Sequence, residues 1–94
     1  AFAGALDLRD DAEVGRFHAE AATALGGPFD VLVNAAGLSA QEEMAGHTDA
    51  TWRAVLDVNL TGAYRTTRRC FGPMAERGWG RIVNIASTAA DVGY

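Results

Sequence analysis

Phe29-Asp30-Val31-Leu32-Val33-Asn34-Ala35-Ala36-Gly37 is nearly continuous apolar sequence, broken only by Asp30 and Asn34 and ended by Gly37. Such a run suits a central parallel strand covered by helices on both faces. Working outward toward the N-terminus, Val14, Phe17, Ala21, Ala22 and Leu25 recur at spacings of three and four before Gly26-Gly27-Pro28. That pattern predicts a helix of about four turns starting at Asp11. On the other side a polar loop through Gln41, Glu42 and Glu43 suits one helical turn before Gly46, and Thr48-Asp49-Ala50-Thr51 offers N-cap chemistry. Trp52, Val55, Leu56, Leu60, Ala63, Tyr64, Thr67, Cys70, Phe71 and Met74 then keep a helical rhythm. A long helix is expected from about Thr51 to Arg77, bent or locally distorted at Gly62 and Pro73 and stopped by Gly78.

Two further strands complete the pattern. Ala3 to Leu8 is apolar until Asp7 and suits a short buried strand feeding a helix cap at Arg9-Asp10-Asp11; Arg81 to Ala86 is a second β-branched apolar run, after which the sequence turns small and polar. The alternation of strand, helix, strand, helix, strand predicts α/β layering with parallel strands and right-handed crossovers. Ligands of such sheets gather beyond the carboxyl ends of the strands, where Asp7-Leu8, Asn34 to Gly37 and Ser87 are expected to meet.

Composition bounds the function. Of the 94 residues, 49% are hydrophobic and 21% charged, a globular balance, and the net charge of -4 argues against a nucleic-acid partner. The apolar runs fall far short of the roughly 20 residues that cross a bilayer, so no membrane role and a cytoplasmic setting are expected. The single cysteine, Cys70, suits a small core residue, and His18 and His47 suit surface positions without a metal or triad role. All eight basic residues are arginine. Arg65, Arg68 and Arg69 share one helical face, readable as a solvated face or as an anion site.

Three stretches together resemble the short-chain dehydrogenase/reductase family, especially its 3-oxoacyl-thioester reductases and hydroxybutyrate dehydrogenases. They are Asp30 to Gly37, Trp52 followed by Asp57-Val58-Asn59-Leu60-Thr61-Gly62, and Met74 through Ser87 with its Gly80-Arg81-Ile82-Val83-Asn84-Ile85-Ala86-Ser87. The resemblance implies a partial Rossmann-like doubly wound parallel sheet of order 3-2-1-4-5-6, in which this chain supplies strands three, four and five. Neither the family's glycine-rich phosphate loop nor its Tyr-x-x-x-Lys falls within residues 1–94. The chain is therefore expected to be the central part of one dinucleotide-binding oxidoreductase domain, truncated at both ends and poorly stable alone. Tyr94 is rejected as the proton donor, because it lies only seven residues beyond Ser87 and the sequence ends before a lysine four residues later could appear.

Each site residue carries a plain reading beside the implied one. Asn34 with Ala35, Ala36 and Gly37 suits a tight turn; the resemblance implies a position beside the cofactor's adenosine ribose. Asn59 sits on an apolar helix face, so a buried amide tying its helix to a neighbouring strand is expected; the resemblance implies that it holds a water near the catalytic lysine. Ser87 suits a capping or turn serine; the resemblance implies that it polarises a substrate carbonyl. Asp7 suits a turn or cap, while the resemblance sets Asp7 and Leu8 against adenine.

The reaction so implied is reversible reduction of a small-molecule carbonyl to a secondary alcohol with NAD or NADP, by a complete protein that is a homodimer or homotetramer. Two other classes stay open: a noncatalytic nucleotide-binding or interaction module of the same fold, and a sugar-nucleotide epimerase relative.

Overall fold

A computed structural model describes residues 1–92; the rejected proton donor, Tyr94, lies outside them. Helix α1 spans Asp11–Leu25 and begins where expected: Asp10 Oδ1 accepts the Ala12 and Glu13 N–H groups at 3.0 and 3.2 Å. It ends at Gly26, whose φ of 86° is the left-handed geometry glycine tolerates, with Gly27 N–H closing onto Ala22 O at 2.9 Å. Strand β1 is Val31–Asn34, shorter at both ends than the apolar run. The expected turn before Gly46 is a 3₁₀ turn, Met44–Gly46, and Thr48 Oγ1 caps α2 (Asp49–Leu56) by accepting Thr51 N–H at 3.1 Å.

The long helix runs from Asp49 to Arg77 without a break, as α2, a π-helical turn over Asp57–Thr61, and α3 (Gly62–Arg77). Its distortion therefore lies just before Gly62. Pro73, the other expected bend, stands inside an uninterrupted α3. At Gly62 a Cβ would stand 3.0 Å from Leu8 Cβ and 3.3 Å from Asp57 O, so the bare backbone lets Leu8 approach. Gly78, with φ 71°, closes α3 through Trp79 N–H to Met74 O at 3.1 Å.

Strand β2, Arg81–Asn84, pairs with β1 in parallel: Val31 opposite Arg81, Leu32 opposite Ile82, Val33 opposite Val83, Asn34 opposite Asn84. Flanking bonds from Arg81 N to Asp30 O and from Ile85 N to Asn34 O extend the ladder at both ends. Beyond β2 the chain forms a one-turn helix α4, Ala89–Val92, where only loop was expected. Ser87 Oγ caps it by accepting Ala89 N–H at 3.1 Å.

Helices α1 and α3 pack on each other, α3 also packs on β1, and the core lies along α1 and α3: Val14, Ala21, Cys70 and Met74 are the buried apolar residues. Cys70 is thus the core residue its isolation predicted, and burial raises its thiol pKa. The expectation that β1 is covered on both faces fails. Val31 and Val33 are 52% and 54% exposed, and the adjoining Val83 is 44% exposed. One apolar sheet face is open.

Ala3–Leu8 is not a strand either. Between it and β1 lies a cleft of about 490 Å³, lined by Gly4, Leu6 and Leu8 on one side and Leu32 and Asn34 on the other. A strand needs a neighbour at about 4.8 Å to complete its ladder. The segment is held instead by side chains: Arg65 Nη1 donates to Leu8 O at 2.7 Å, and the Phe2 and Phe17 rings pack 5.4 Å apart. The result is a partial Rossmann-like α/β layer built on two parallel strands. Its accessible surface of 6808 Å² exceeds the roughly 5,200 Å² expected of a compact monomer this size.

Candidate functional site

The carboxyl ends of β1 and β2 open into a cleft of about 830 Å³ lined by Ala35, Ala36, Gly37, Asn59, Tyr64 and Ser87 among others. Ala35, Ala36 and Asn59 also line the smaller cleft, together with Leu8 and Asn34. The two clefts thus form a trough around the end of β1. Seven of the eight sequence-predicted positions border it. Asp7 lines neither cleft.

The side chain of Asn34 turns toward α3 and β2. Its Nδ2 donates to Asn84 Oδ1 at 2.9 Å and to Thr67 Oγ1 at 3.2 Å, while Oδ1 accepts from Thr66 Oγ1 at 2.6 Å. This network locks the strand ends to the helix. The bare positions that follow, Ala35, Ala36 and Gly37, are exposed and leave main chain facing the trough.

Asn59 stands in the π-helical turn and is exposed, which corrects the expected burial. Both ends of its amide are nevertheless engaged: Oδ1 accepts Leu38 N–H at 2.7 Å and Nδ2 donates to Leu38 O at 2.8 Å. It ties its helix to the loop beyond β1 rather than to a strand. The π turn re-aims this residue, because an inserted residue rotates the side chains that follow it off the regular helical face.

Ser87 Oγ receives the Ala89 N–H, so one lone pair is used and the hydroxyl hydrogen remains to donate. Asp7 opens a turn closed by Asp10 N–H to Asp7 O at 3.1 Å, and Arg9 holds its carboxylate through Nε at 3.0 Å and Nη2 at 2.9 Å. Hydrogen bonding from Arg9 brings the Asp7 pKa down to about 2.

Several residues here escaped the sequence reading. Thr66, Thr67 and Asn84 complete the Asn34 network; the paired Asn-x-Ala at each strand end, Asn34-Ala35-Ala36 and Asn84-Ile85-Ala86, was the available signal. The arginine face is neither solvated nor an anion site at two of its three positions. Arg65 bonds Leu8 O and Asp57 Oδ1, and Arg69 bonds Asp11 through Oδ1 at 2.9 Å and main-chain O at 3.0 Å. Only Arg68 lies outward, 6.0 Å over the Tyr64 ring.

The histidines are half-buried rather than on the surface. His18 packs edge-on against Phe29 at 5.2 Å, and burial lowers its pKa. His47 sits against Trp52 with Nδ1 3.6 Å from Glu42, and its buried Nε2 has no partner among the described residues.

Residues 1–94 match the family model for short chain dehydrogenase. The chain is 45% identical over 67 residues to an acetoacetyl-CoA reductase of Cupriavidus necator, covering 71% of this chain and 27% of that protein. It is 37% identical over 81 residues to a D-beta-hydroxybutyrate dehydrogenase of Rhizobium meliloti, covering 86% and 31%. The fold superposes on the crystal structure of a short-chain dehydrogenase from Streptomyces avermitilis with a TM-score of 0.85 and 30% identity, covering 95% of this chain and 32% of that one. The chain thus spans about a quarter to a third of the length of the curated relatives it matches. With a family match along its whole length and this superposition, the chain belongs to the short-chain dehydrogenase family.

Proposed function

We propose that these residues are the central part of one dinucleotide-binding oxidoreductase domain that interconverts a small-molecule carbonyl and a secondary alcohol. The observation that carries this reading is the trough at the carboxyl ends of β1 and β2, which Ala35, Ala36, Gly37, Asn59 and Ser87 border together. The relatives named as an acetoacetyl-CoA reductase and a hydroxybutyrate dehydrogenase favour a 3-oxoacyl thioester or a 3-hydroxy acid as the substrate class.

The residues present fit a dinucleotide, NAD or NADP. Ala35, Ala36 and Gly37 carry almost no side chain into the trough and would lie beside the adenosine ribose, with Leu8, and Asp7 next to it, at the adenine end. When bound, the nicotinamide supplies or accepts the hydride. Ser87 donates its free hydroxyl hydrogen to the carbonyl oxygen and stabilises the negative charge that grows there. Its bond from Ala89 N–H fixes the hydroxyl and leaves that donor direction open. Asn59 holds the Leu38 loop at the trough's rim, and with it the bare turn before Leu38. Proton transfer is assigned to the Tyr-x-x-x-Lys pair that the family resemblance implies and that residues 1–94 do not contain.

The exposed Leu60, Tyr64 and Phe71 on the long helix, at 67%, 59% and 61%, support a homodimer or homotetramer of the complete protein. No helix of the described residues is long and apolar enough to cross a membrane; a cytoplasmic setting is part of the proposal. By itself the 94-residue chain is proposed to be inactive, since it includes no glycine-rich loop for the pyrophosphate.

The test is to mix the full-length protein with a 3-oxoacyl thioester and NADH or NADPH and follow nicotinamide absorbance. Consumption of one reduced cofactor per carbonyl is expected. Cofactor binding without consumption of any carbonyl substrate would favour a noncatalytic module instead.

A further inference from the structure

Arg65 spans eight residues of its own helix to reach Asp57. A single nitrogen, Nη1, donates to both Asp57 Oδ1 and Leu8 O, each at 2.7 Å, and the side chain is only 17% exposed. Residues eight apart are not ordinary helical neighbours, which stand three or four apart. The reach is open here because Gly62, between them, has no side chain and lets Leu8 close to the helix backbone. What the pair straddles is the π-helical turn Asp57–Thr61, and in that turn stands Asn59, doubly bonded to Leu38.

A π turn holds one more residue than the α-helical register it competes with, so its side chains change direction if it reverts. A partly buried ion pair joining its first residue to a residue beyond its end selects one register over the other. The same nitrogen then carries that choice to the Asp7-Leu8 turn. We propose that Arg65 is a positioning residue, which fixes the π register so that Asn59 grips Leu38 and ties that register to the N-terminal segment at Leu8. The consequence for catalysis rests on the function proposed above; the mechanical claim about Leu38 does not. Arg65 does not touch Ser87; it acts through Asn59 and through the Leu8 carbonyl.

The test uses the full-length protein with Arg65→Met, Arg65→Lys and, as control, Arg69→Met, which removes the neighbouring clamp on Asp11. The first readout is hydrogen exchange of the Leu38 amide, which reports local opening directly. Arg65→Met should speed it on the order of tenfold relative to wild type, the scale of a hydrogen bond from a charged group. Arg65→Lys should restore most of the protection, and Arg69→Met should leave Leu38 near wild type. The second readout is kinetic: because Asn59 and Leu8 both bear on the cofactor side of the trough, Arg65→Met should raise KM for the cofactor by about fivefold or more, and Arg65→Lys should restore most of it. Unchanged Leu38 exchange in Arg65→Met, or equal acceleration in Arg69→Met, would overturn the proposal. Should the wild type reduce no carbonyl at all, the oxidoreductase reading fails and the exchange result alone decides the role of Arg65.

Discussion

Asn34 and Asn84 stand opposite each other at the carboxyl ends of β1 and β2, and Asn34 Nδ2 donates to Asn84 Oδ1 at 2.9 Å. The bond closes the two-stranded ladder just where the chain turns into the trough. Thr66 and Thr67 take up the rest of the Asn34 amide, so one side chain joins both strands to α3. Asn34→Leu keeps the volume and strands these partners. Thr66 retains Ala63 O at 3.0 Å, so the loss concentrates on Asn84 and Thr67. The expected cost is about 2 kcal/mol, read as a lower urea midpoint at unchanged slope. An unchanged midpoint would remove Asn34 from the structural frame.

Asn59 makes two bonds to the Leu38 backbone in an exposed setting, where water competes for the freed groups. Asn59→Leu should therefore destabilise by only about 1 to 2 kcal/mol. Asn59→Asp keeps the acceptor for Leu38 N–H but points a second oxygen at Leu38 O, so it should be no more stable than Asn59→Leu. Denaturant melts of the two variants check this order, and a wild-type-like Asp variant would contradict it.

Asp7 gives a pH dependence of defined sign. Hydrogen bonds from Arg9 bring its folded-state pKa from 3.8 to about 2. The folded chain thus holds the proton less tightly than the unfolded chain, and the stabilisation is present above 3.8 and lost as pH falls through about 2. Asp11 shifts in the same direction through Arg69. Comparing wild type with Arg9→Gln, the stability gap should be constant above that window and close within it. A gap that widens on acidification would show that the Arg9 pairing does not govern Asp7.

What the sequence made legible was local. The Asp10 cap, the Gly26 and Gly78 stops and the Thr48 cap depend on residues within a turn of one another, and each stands as read. The strand expected at Ala3–Leu8 depends on a neighbour supplied from elsewhere, and no apolar run reveals whether that neighbour is beside it. The π turn escaped notice for a similar reason: its register answers to Arg65, Gly62 and Leu8, whose contact joins segments 57 residues apart. The arginine face misled because periodicity shows which residues share a face and is silent about the carbonyl waiting opposite. At the site, Asn59 was expected buried among apolar neighbours, an inference that assumed an ideal helix through Asp57–Thr61.

Ser87 is proposed to act on the carbonyl while the bare turn after β1 receives the cofactor. The most direct test measures turnover and cofactor affinity side by side in the full-length Ser87→Ala variant. Turnover should fall by about a hundredfold or more, the scale of one lost donor to a developing oxyanion, while the dissociation constant for reduced cofactor changes by less than about threefold. Parallel losses in both quantities, or turnover unchanged, would return Ser87 to the capping role its bond with Ala89 already fills.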